Sequence, residues 1–151
     1  MDAKSRLIQK ITEKNQEELV TASRRQHLLD SFKKDLSELH AHLRNIVEDI
    51  PGVTVSTLPS RVDDVVFDDG SFSIELFGNE MTFNVAHDAN RFGVKVGNLW
   101  RRDTFLVAER KNLWSSPART SEPLFLSDNE IFDKLSEFVD SPVEKGVHLW
   151  D

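Results

Sequence analysis

The chain has 151 residues, no cysteine and a formal net charge of −7. This length is typical of one domain and allows roughly two thirds of the unfolded surface to be buried without a disulfide or metal ion. The lack of cysteine excludes thiol catalysis and cysteine-ligated zinc. No apolar run approaches the ~20 residues that span a bilayer, and the first ten residues are charged, so we expect a cytoplasmic protein.

An amphipathic helix is predicted over residues 29–50. Its apolar residues follow one another in steps of three and four, which places them on one side of an α-helix. They are Leu29, Phe32, Leu36, Leu39, Leu43, Ile46 and Ile50. Pro51 and Gly52 end the helix, because the residue before proline disfavours helical geometry and glycine suits a helix exit. We expect a β-sheet to bury this apolar side.

Residues 4–28 are also helical by composition, but polar residues interrupt the apolar side there: Asn15, Glu18 and Arg25. One helix over 4–50 would be roughly 70 Å long, whereas a compact domain of this size is about 40 Å across. The sequence therefore allows two arrangements. The helix is bent or split near residues 20–23, or residues 1–25 form a projecting or separately packed helix that pairs with a second molecule. Thr21 and Ser23 can cap a new helix, which favours the split.

Three consecutive segments alternate between apolar and polar residues, as half-buried strands do. Their apolar residues are Phe72, Ile74 and Leu76, then Met81, Phe83 and Val85, then Phe92, Val94 and Val96. A two-residue turn at Gly78-Asn79 would place Leu76 opposite Met81. A four-residue loop over 87–90 would place Val85 opposite Phe92. Both registers put every apolar side chain on one face, which the long helix is expected to cover.

Further strands flank these three. Residues 53–58 are predicted as a strand that Pro59 ends, and residues 62–67 as a strand joined to the next one by a turn at 68–70. Residues 99–109 form the last predicted strand, and its four apolar residues in a row, 105–108, indicate that both faces are covered. We expect a long loop over 110–123.

A second helix is predicted from a capping box at Ser127 to Glu130 and ends near Asp140. After Pro142, the tail contains Val147, Leu149 and Trp150, which are apolar enough to dock. The predicted architecture is α+β: a long N-terminal helix packed on an antiparallel meander of five or six strands, with a C-terminal helix. Residues 1–151 are expected to form a single domain.

The sequence contains no phosphate-binding loop, dinucleotide fingerprint, nucleophile elbow or zinc-protease motif. His40 and His42 are two residues apart on a helix, so they point in different directions, whereas a helical metal site needs a spacing of four. His87 and Asp88 are expected on a hairpin loop, where functional residues are common. We predict no enzyme activity, no cofactor and no metal site.

Charge is distributed in blocks along the sequence. Residues 51–90 carry seven acidic and one basic residue, and residues 91–119 carry seven basic and two acidic residues. The predicted partner-binding residues are acidic: Asp63, Asp64, Asp68, Asp69, Glu75 and Glu80. An acidic domain without catalytic motifs is typical of proteins that bind a basic partner. Immunity proteins of bacterial toxin systems and phage-coded nuclease inhibitors share this character, so neutralisation of a toxin or nuclease by occlusion is the leading hypothesis.

Two alternatives remain at this stage. In the first, the N-terminal helix makes a coiled-coil contact in a homodimer or larger oligomer. In the second, the basic segment 100–119 binds nucleic acid, because cations and aromatic residues alternate there as they do in nucleic-acid grooves. The residues concerned are Trp100, Arg101, Arg102, Arg110, Lys111 and Trp114. The acidic net charge argues against this second alternative.

Overall fold

A computed structural model describes residues 2–88, 91–110, 113–117 and 124–143. The described residues form two helices and six strands: α1 (Ala3–Val47), β1 (Thr54–Val62), β2 (Val65–Leu76), β3 (Asn79–Asp88), β4 (Arg91–Gly97), β5 (Thr104–Arg110), β6 (Leu113–Ser115) and α2 (Asp128–Asp140). Each strand pairs antiparallel with the next in chain order. The predicted α+β fold is therefore confirmed. The chain divides into two units, Met1–Lys34 and Asp35–Asp151.

Helix α1 begins directly after Asp2, whose carboxylate accepts a hydrogen bond of 2.7 Å from the backbone N–H of Ser5. This hydrogen bond favours the charged carboxylate and lowers the pKa of Asp2. The helix then continues without interruption to Val47, so the predicted split near residues 20–23 is wrong. Those four residues include neither glycine nor proline, and nothing in their backbone opposes a helix.

In the second unit, the side of α1 that is buried differs slightly from the predicted one. Leu36, Leu39 and Leu43 are buried as expected, but Ile46 is only half-buried and Val47 is buried instead. The predicted spacing averages 3.5 residues per turn, whereas a straight α-helix has 3.6. The contact side therefore moves around the helix, and this movement also buries His40.

One face of the sheet forms the core. Phe72, Phe83 and Val94 are all completely buried, as the alternation predicts. Helix α1 contacts this face through His40, whose ring stacks on Phe72. Side chains of the opposite face are polar, and Ser71 donates a hydrogen bond of 2.6 Å to the Asn84 side chain across the β2–β3 ladder.

Both predicted hairpin registers are shifted by two residues. Leu76 pairs with Asn79, so the β2–β3 turn is formed by Phe77 and Gly78, both with positive φ (50° and 82°). Such a pair fits a type I′ turn, which matches the strand twist. In the next hairpin Asp88 pairs with Arg91, so the loop is shorter than the predicted four residues. A two-residue shift keeps each side chain on its face, which explains why the predicted core is still correct.

The β1–β2 hairpin turns earlier than predicted. Asp63 and Asp64 form the turn, with φ of 49° and 64°, a left-handed conformation that aspartate tolerates better than most residues. Strand β1 extends through Pro59, and residues 68–70 lie within β2 rather than in a turn. The ladder shifts between Leu58 and Ser60, because Pro59 has no N–H to donate and the extra residues of β2 bulge opposite it.

The last strands also differ from prediction. Strand β5 begins at Thr104 rather than residue 99, because the chain bends over residues 98–102, starting at Asn98 with its left-handed conformation. Leu106 and Val107 are both buried, which confirms that both faces of β5 are covered. Strand β6 lies within the predicted loop 110–123. The predicted docking of Val147, Leu149 and Trp150 lies outside the described residues.

Helix α2 has the predicted bounds. The Ser127 hydroxyl caps it by accepting a hydrogen bond of 3.3 Å from the backbone N–H of Glu130. The Glu130 carboxylate does not complete a capping box in the described structure, because it accepts a hydrogen bond of 2.5 Å from Nε1 of Trp100. Ile131, Leu135 and Phe138 form the buried side of this helix.

Candidate functional site

The six predicted partner-binding acids lie in two groups rather than one. Asp63, Asp64, Asp68 and Asp69 lie in the β1–β2 turn and the adjoining bulge, whereas Glu75 and Glu80 lie near the β2–β3 turn. Val62 and Thr54, whose partners are Val65 and Glu75, are eight residues apart along β1. At about 3.3 Å per residue, the turn at Asp63 and Asp64 is therefore roughly 26 Å from Glu75.

The β1–β2 turn contacts the β3–β4 hairpin. A carboxylate oxygen of Asp63 forms an ion pair with Nδ1 of His87 when the imidazole is protonated. His87 lies in β3, not on the predicted loop, and its ring also contacts that of Phe92, with centroids 4.7 Å apart. The contact positions Asp63, which is exposed, as are Asp64 and Asp68.

Glu75 and Glu80 are direct cross-strand partners in the β2–β3 ladder. Like charges in directly opposite positions destabilise a sheet, so this pair concentrates negative potential on the polar face. Asn98 donates a hydrogen bond of 2.9 Å to the backbone carbonyl of Glu80 and fixes the strand locally.

The predicted nucleic-acid residues are not brought together. Trp100, Arg101 and Arg102 line an open cleft of about 790 Å³ before β5. Arg110 ends β5, six residues or about 20 Å beyond its first residue. Trp114 is only 3% exposed, so its ring cannot stack on a base. Lys111 lies outside the described residues.

The cleft has an apolar wall and a mixed-charge rim. Phe105, Pro117 and Leu124 contribute apolar surface, while the rim includes Asp88 and Asp103 as well as the two arginines. Among the described residues, neither arginine forms an ion pair with a carboxylate. The opposite charges at the rim offset one another, so the cleft does not form a positive groove of the kind that phosphates need.

The described part of the chain contains no group of three or more His, Asp or Glu side chains that could hold a metal ion. His40 is 6% exposed, and its burial lowers its pKa to about 4. His42 lies two residues further along and contacts Asp128 at 2.7 Å, at the start of α2. As predicted, these two histidines point in different directions.

The first unit carries several large exposed apolar side chains. Described residues 2–28 are all exposed, and among them Leu7, Ile8, Ile11 and Leu19 are 52–70% exposed. At 100° per residue, these four side chains fall within about 120° of one another on α1. We call them, together with Ala22, the α1 stripe. The described residues of this unit contain only one helix, so the stripe has nothing to pack against within the unit.

Asn15, Glu18 and Arg25, the polar residues that interrupt the predicted apolar side, lie within the same 120° of α1 as the stripe. Sequence reasoning missed the α1 stripe because it followed these polar residues rather than Leu19 and Ala22, which lie on the same side of the helix. Val20, which is 57% exposed, lies on the opposite side of the helix. The apolar residues of the stripe were therefore visible in the sequence, but the polar residues on the same side of the helix concealed them.

Comparisons with protein-family models, with curated proteins and with solved structures gave no match. Among the described residues, no helix combines the length and the apolar character needed to cross a membrane. The function proposed below is therefore inferred from the surfaces of the described residues.

Proposed function

We propose that the protein is a non-catalytic protein-binding module, and that its binding element is the α1 stripe. The observation that supports this proposal is the set of large, exposed apolar side chains on one side of a helix that has no other element in its unit. Apolar groups placed together on a surface are typical of protein interaction sites.

The energetics of helices support the same proposal. Helical stability in proteins comes mostly from packing of an amphipathic side and less from intrinsic propensity. Among the described residues of the first unit, few side-chain pairs reinforce the helix. One of them is the hydrogen bond of 3.2 Å between Gln9 and Glu13. Full burial of one Leu or Ile side chain contributes roughly 1.5–3 kcal/mol. Burial of the stripe against a partner would therefore have two effects: it would stabilise the helix and hold the partner.

The proposal is tested by affinity capture with the full-length chain as bait, offered both an extract of the native host and a second, differently tagged copy. The test variant replaces Leu7, Ile11 and Leu19 with serine. Its matched control is Val20→Ser, which removes an equally exposed apolar side chain from the opposite side of the helix. We expect the triple variant to lose a bound protein that the wild type and the control both retain. Identical bound sets for all three baits would refute the proposal.

A second candidate function is the binding of a basic partner, as in a toxin or nuclease inhibitor. It is favoured by the group of four aspartates at the β1–β2 end of the sheet, all of which are exposed. Exposed carboxylates of this kind steer a basic protein during association and lose that effect as salt rises.

The test for this candidate compares two variants with the same change in net charge. Asp64→Asn with Asp68→Asn neutralises two acids of the aspartate group, and Asp133→Asn with Asp140→Asn neutralises two exposed acids elsewhere. We expect only the first variant to lose a salt-sensitive basic partner in affinity capture. Equal losses in both variants would show that net charge alone is responsible and would reject the candidate.

A further inference from the structure

We propose that the α1 stripe pairs with the same segment of a second copy of the chain, and that the two helices run antiparallel. This inference rests on the proposed function, because it names the partner of the same surface. It is supported by two features of residues 7–29: the order of their charges and the position of their apolar side chains.

Two copies of this segment bring opposite charges together only when they run antiparallel. Glu18 precedes Arg25 by about two helical turns, and both lie on the side of α1 that carries the stripe. When two copies run antiparallel about a point near residue 20 or 21, Glu18 of each copy lies near Arg25 of the other. In a parallel pair, Glu18 would face Glu18 and Arg25 would face Arg25. Attraction in one direction and repulsion in the other select the antiparallel pair.

The apolar side chains fit the same direction. With Ile11 level with Leu29 of the second copy, these two apolar side chains lie together at each end of the pair. Leu29 is half-buried, so part of its surface is available. Leu19 and Ala22 lie near the centre. The small side chain of Ala22 allows two copies to approach closely there.

Asn15 falls at a position of the contact side that is usually apolar. A single buried asparagine in a helix pair specifies its register at a cost in stability. In the proposed register, Asn15 lies level with Arg25 of the second copy, whose guanidinium can donate a hydrogen bond to the amide oxygen. Such polar positions weaken the contact, so we expect a reversible equilibrium between monomer and dimer.

The first experiment measures the oligomeric state of the full chain by sedimentation velocity over a wide concentration range. We expect a dimer at high concentration for the wild type and for Val20→Ser, and at least a tenfold higher dissociation constant for the triple serine variant. Near-ultraviolet circular dichroism and tryptophan fluorescence check that the second unit remains folded in each variant.

The second experiment tests the direction through charge reversal. Glu18→Arg and Arg25→Glu should each raise the dissociation constant at least tenfold, because each creates like-charge contacts. The variant with both changes restores opposite charges and should dimerise like the wild type. A parallel pair would respond to none of these changes, because each position faces its own copy.

The third experiment uses the natural absence of cysteine. Ile11→Cys and Leu29→Cys are made separately and then mixed under mild oxidation. An antiparallel pair gives a disulfide between the two variants and little in either variant alone. A parallel pair gives the reverse result and overturns the proposed direction.

The remaining outcomes separate the inference from the proposed function. A wild type that is monomeric at every concentration, and that still loses a host protein on triple serine substitution, refutes self-pairing and leaves the protein-binding function in place. A monomer whose unfolding free energy falls in the triple variant, with no captured protein lost, shows that the same chain covers the stripe. That result refutes both proposals.

Discussion

The imidazole of His40 lies parallel to the ring of Phe72, with 4.6 Å between the centroids and 18° between the planes. The contact joins α1 to the centre of the buried face of the sheet. Nε2 of His40 is buried and has no hydrogen-bond partner in the described structure. Arg44, one turn further along α1, lies over the same phenyl ring, with its guanidinium carbon 5.6 Å from the centroid. A titratable group is therefore enclosed in the core among apolar and cationic neighbours.

This arrangement predicts a loss of stability in mild acid. Burial lowers the pKa of His40 from 6.5 to about 4, the charge of Asp69 opposes the shift, and Arg44 adds to it. Because the unfolded chain binds the proton first, the stability present above pH 6.5 is lost as the pH falls towards 4. From pH 7 to pH 5 the loss from this residue is on the order of 2 kcal/mol.

Urea unfolding of the wild type and of His40→Phe at pH 7, 6 and 5 measures this loss. Phenylalanine keeps the stacked ring and removes the unpaired nitrogen, so we expect the variant to be at least as stable as the wild type at pH 7. The difference between the two should widen by about 2 kcal/mol at pH 5. A constant difference across the three pH values would show that His40 does not titrate in this range.

The β2–β3 turn predicts a stabilising substitution. Phe77 adopts a φ of 50° and is 54% exposed, and Gly78 follows with a φ of 82°. Asparagine tolerates this conformation much better, and Asn-Gly is the preferred type I′ pair. We expect Phe77→Asn to raise the free energy of unfolding by roughly 0.5–1 kcal/mol, measured in urea. Phe77→Ala, which removes the ring without improving the turn, is the control, and equal stability of both variants would contradict the explanation.

Parts of the fold were predictable because they depend on side-chain alternation. Phe72, Phe83 and Val94 each belong to a strand in which apolar residues occupy every second position. The pleat alone therefore determines the face on which they lie, and a register error of two residues does not change it. The cap of α2 was predictable for a similar reason, since Ser127 and Glu130 form a local pattern. These features depend on neighbours within a few residues, which the sequence shows directly.

Turn positions and surface clusters were not predictable in the same way. Glycine at position 78 indicated a turn but not which neighbour would share it, and Phe77 is an unusual choice for a positive φ. The aspartate pairs at 63–64 and at 68–69 are both typical of turns. The turn forms at 63–64, because residues 68–70 form the bulge opposite Pro59. The separation of the acidic groups and the burial of Trp114 follow from these long-range pairings, which composition does not show.

The bulge in β2 predicts a coupled pair of substitutions. A Cβ atom at Gly70 would come within 2.9 Å of Cβ of Phe67, and closer still to the hydroxyl of Ser60. The Ser60 hydroxyl is buried and has no hydrogen-bond partner in the described structure. We therefore expect Gly70→Ala to lower the free energy of unfolding by about 1–3 kcal/mol, and Ser60→Ala to change it little.

The double variant should regain part of the loss, because alanine at position 60 removes the nearest clashing atom while Phe67 stays in place. Urea unfolding of the two single variants and the double variant gives the coupling energy, expected to be about 1 kcal/mol. Simple additivity of the single effects would show that the strain lies in the backbone or against Phe67 rather than in the Ser60 contact.

The hydrogen bond between Trp100 and Glu130 predicts an asymmetry between two conservative substitutions. It connects the segment before β5 to the first turn of α2, and both residues are half-buried. Trp100→Phe removes the donor and leaves a carboxylate without its partner, so we expect a loss of about 1–3 kcal/mol in the free energy of unfolding. Glu130→Gln keeps an acceptor oxygen and the backbone cap to Ser127, and should cost less than half as much. Losses of equal size would mean that the charge of Glu130, rather than the hydrogen bond to the indole, holds this segment against α2, because glutamine removes only the charge.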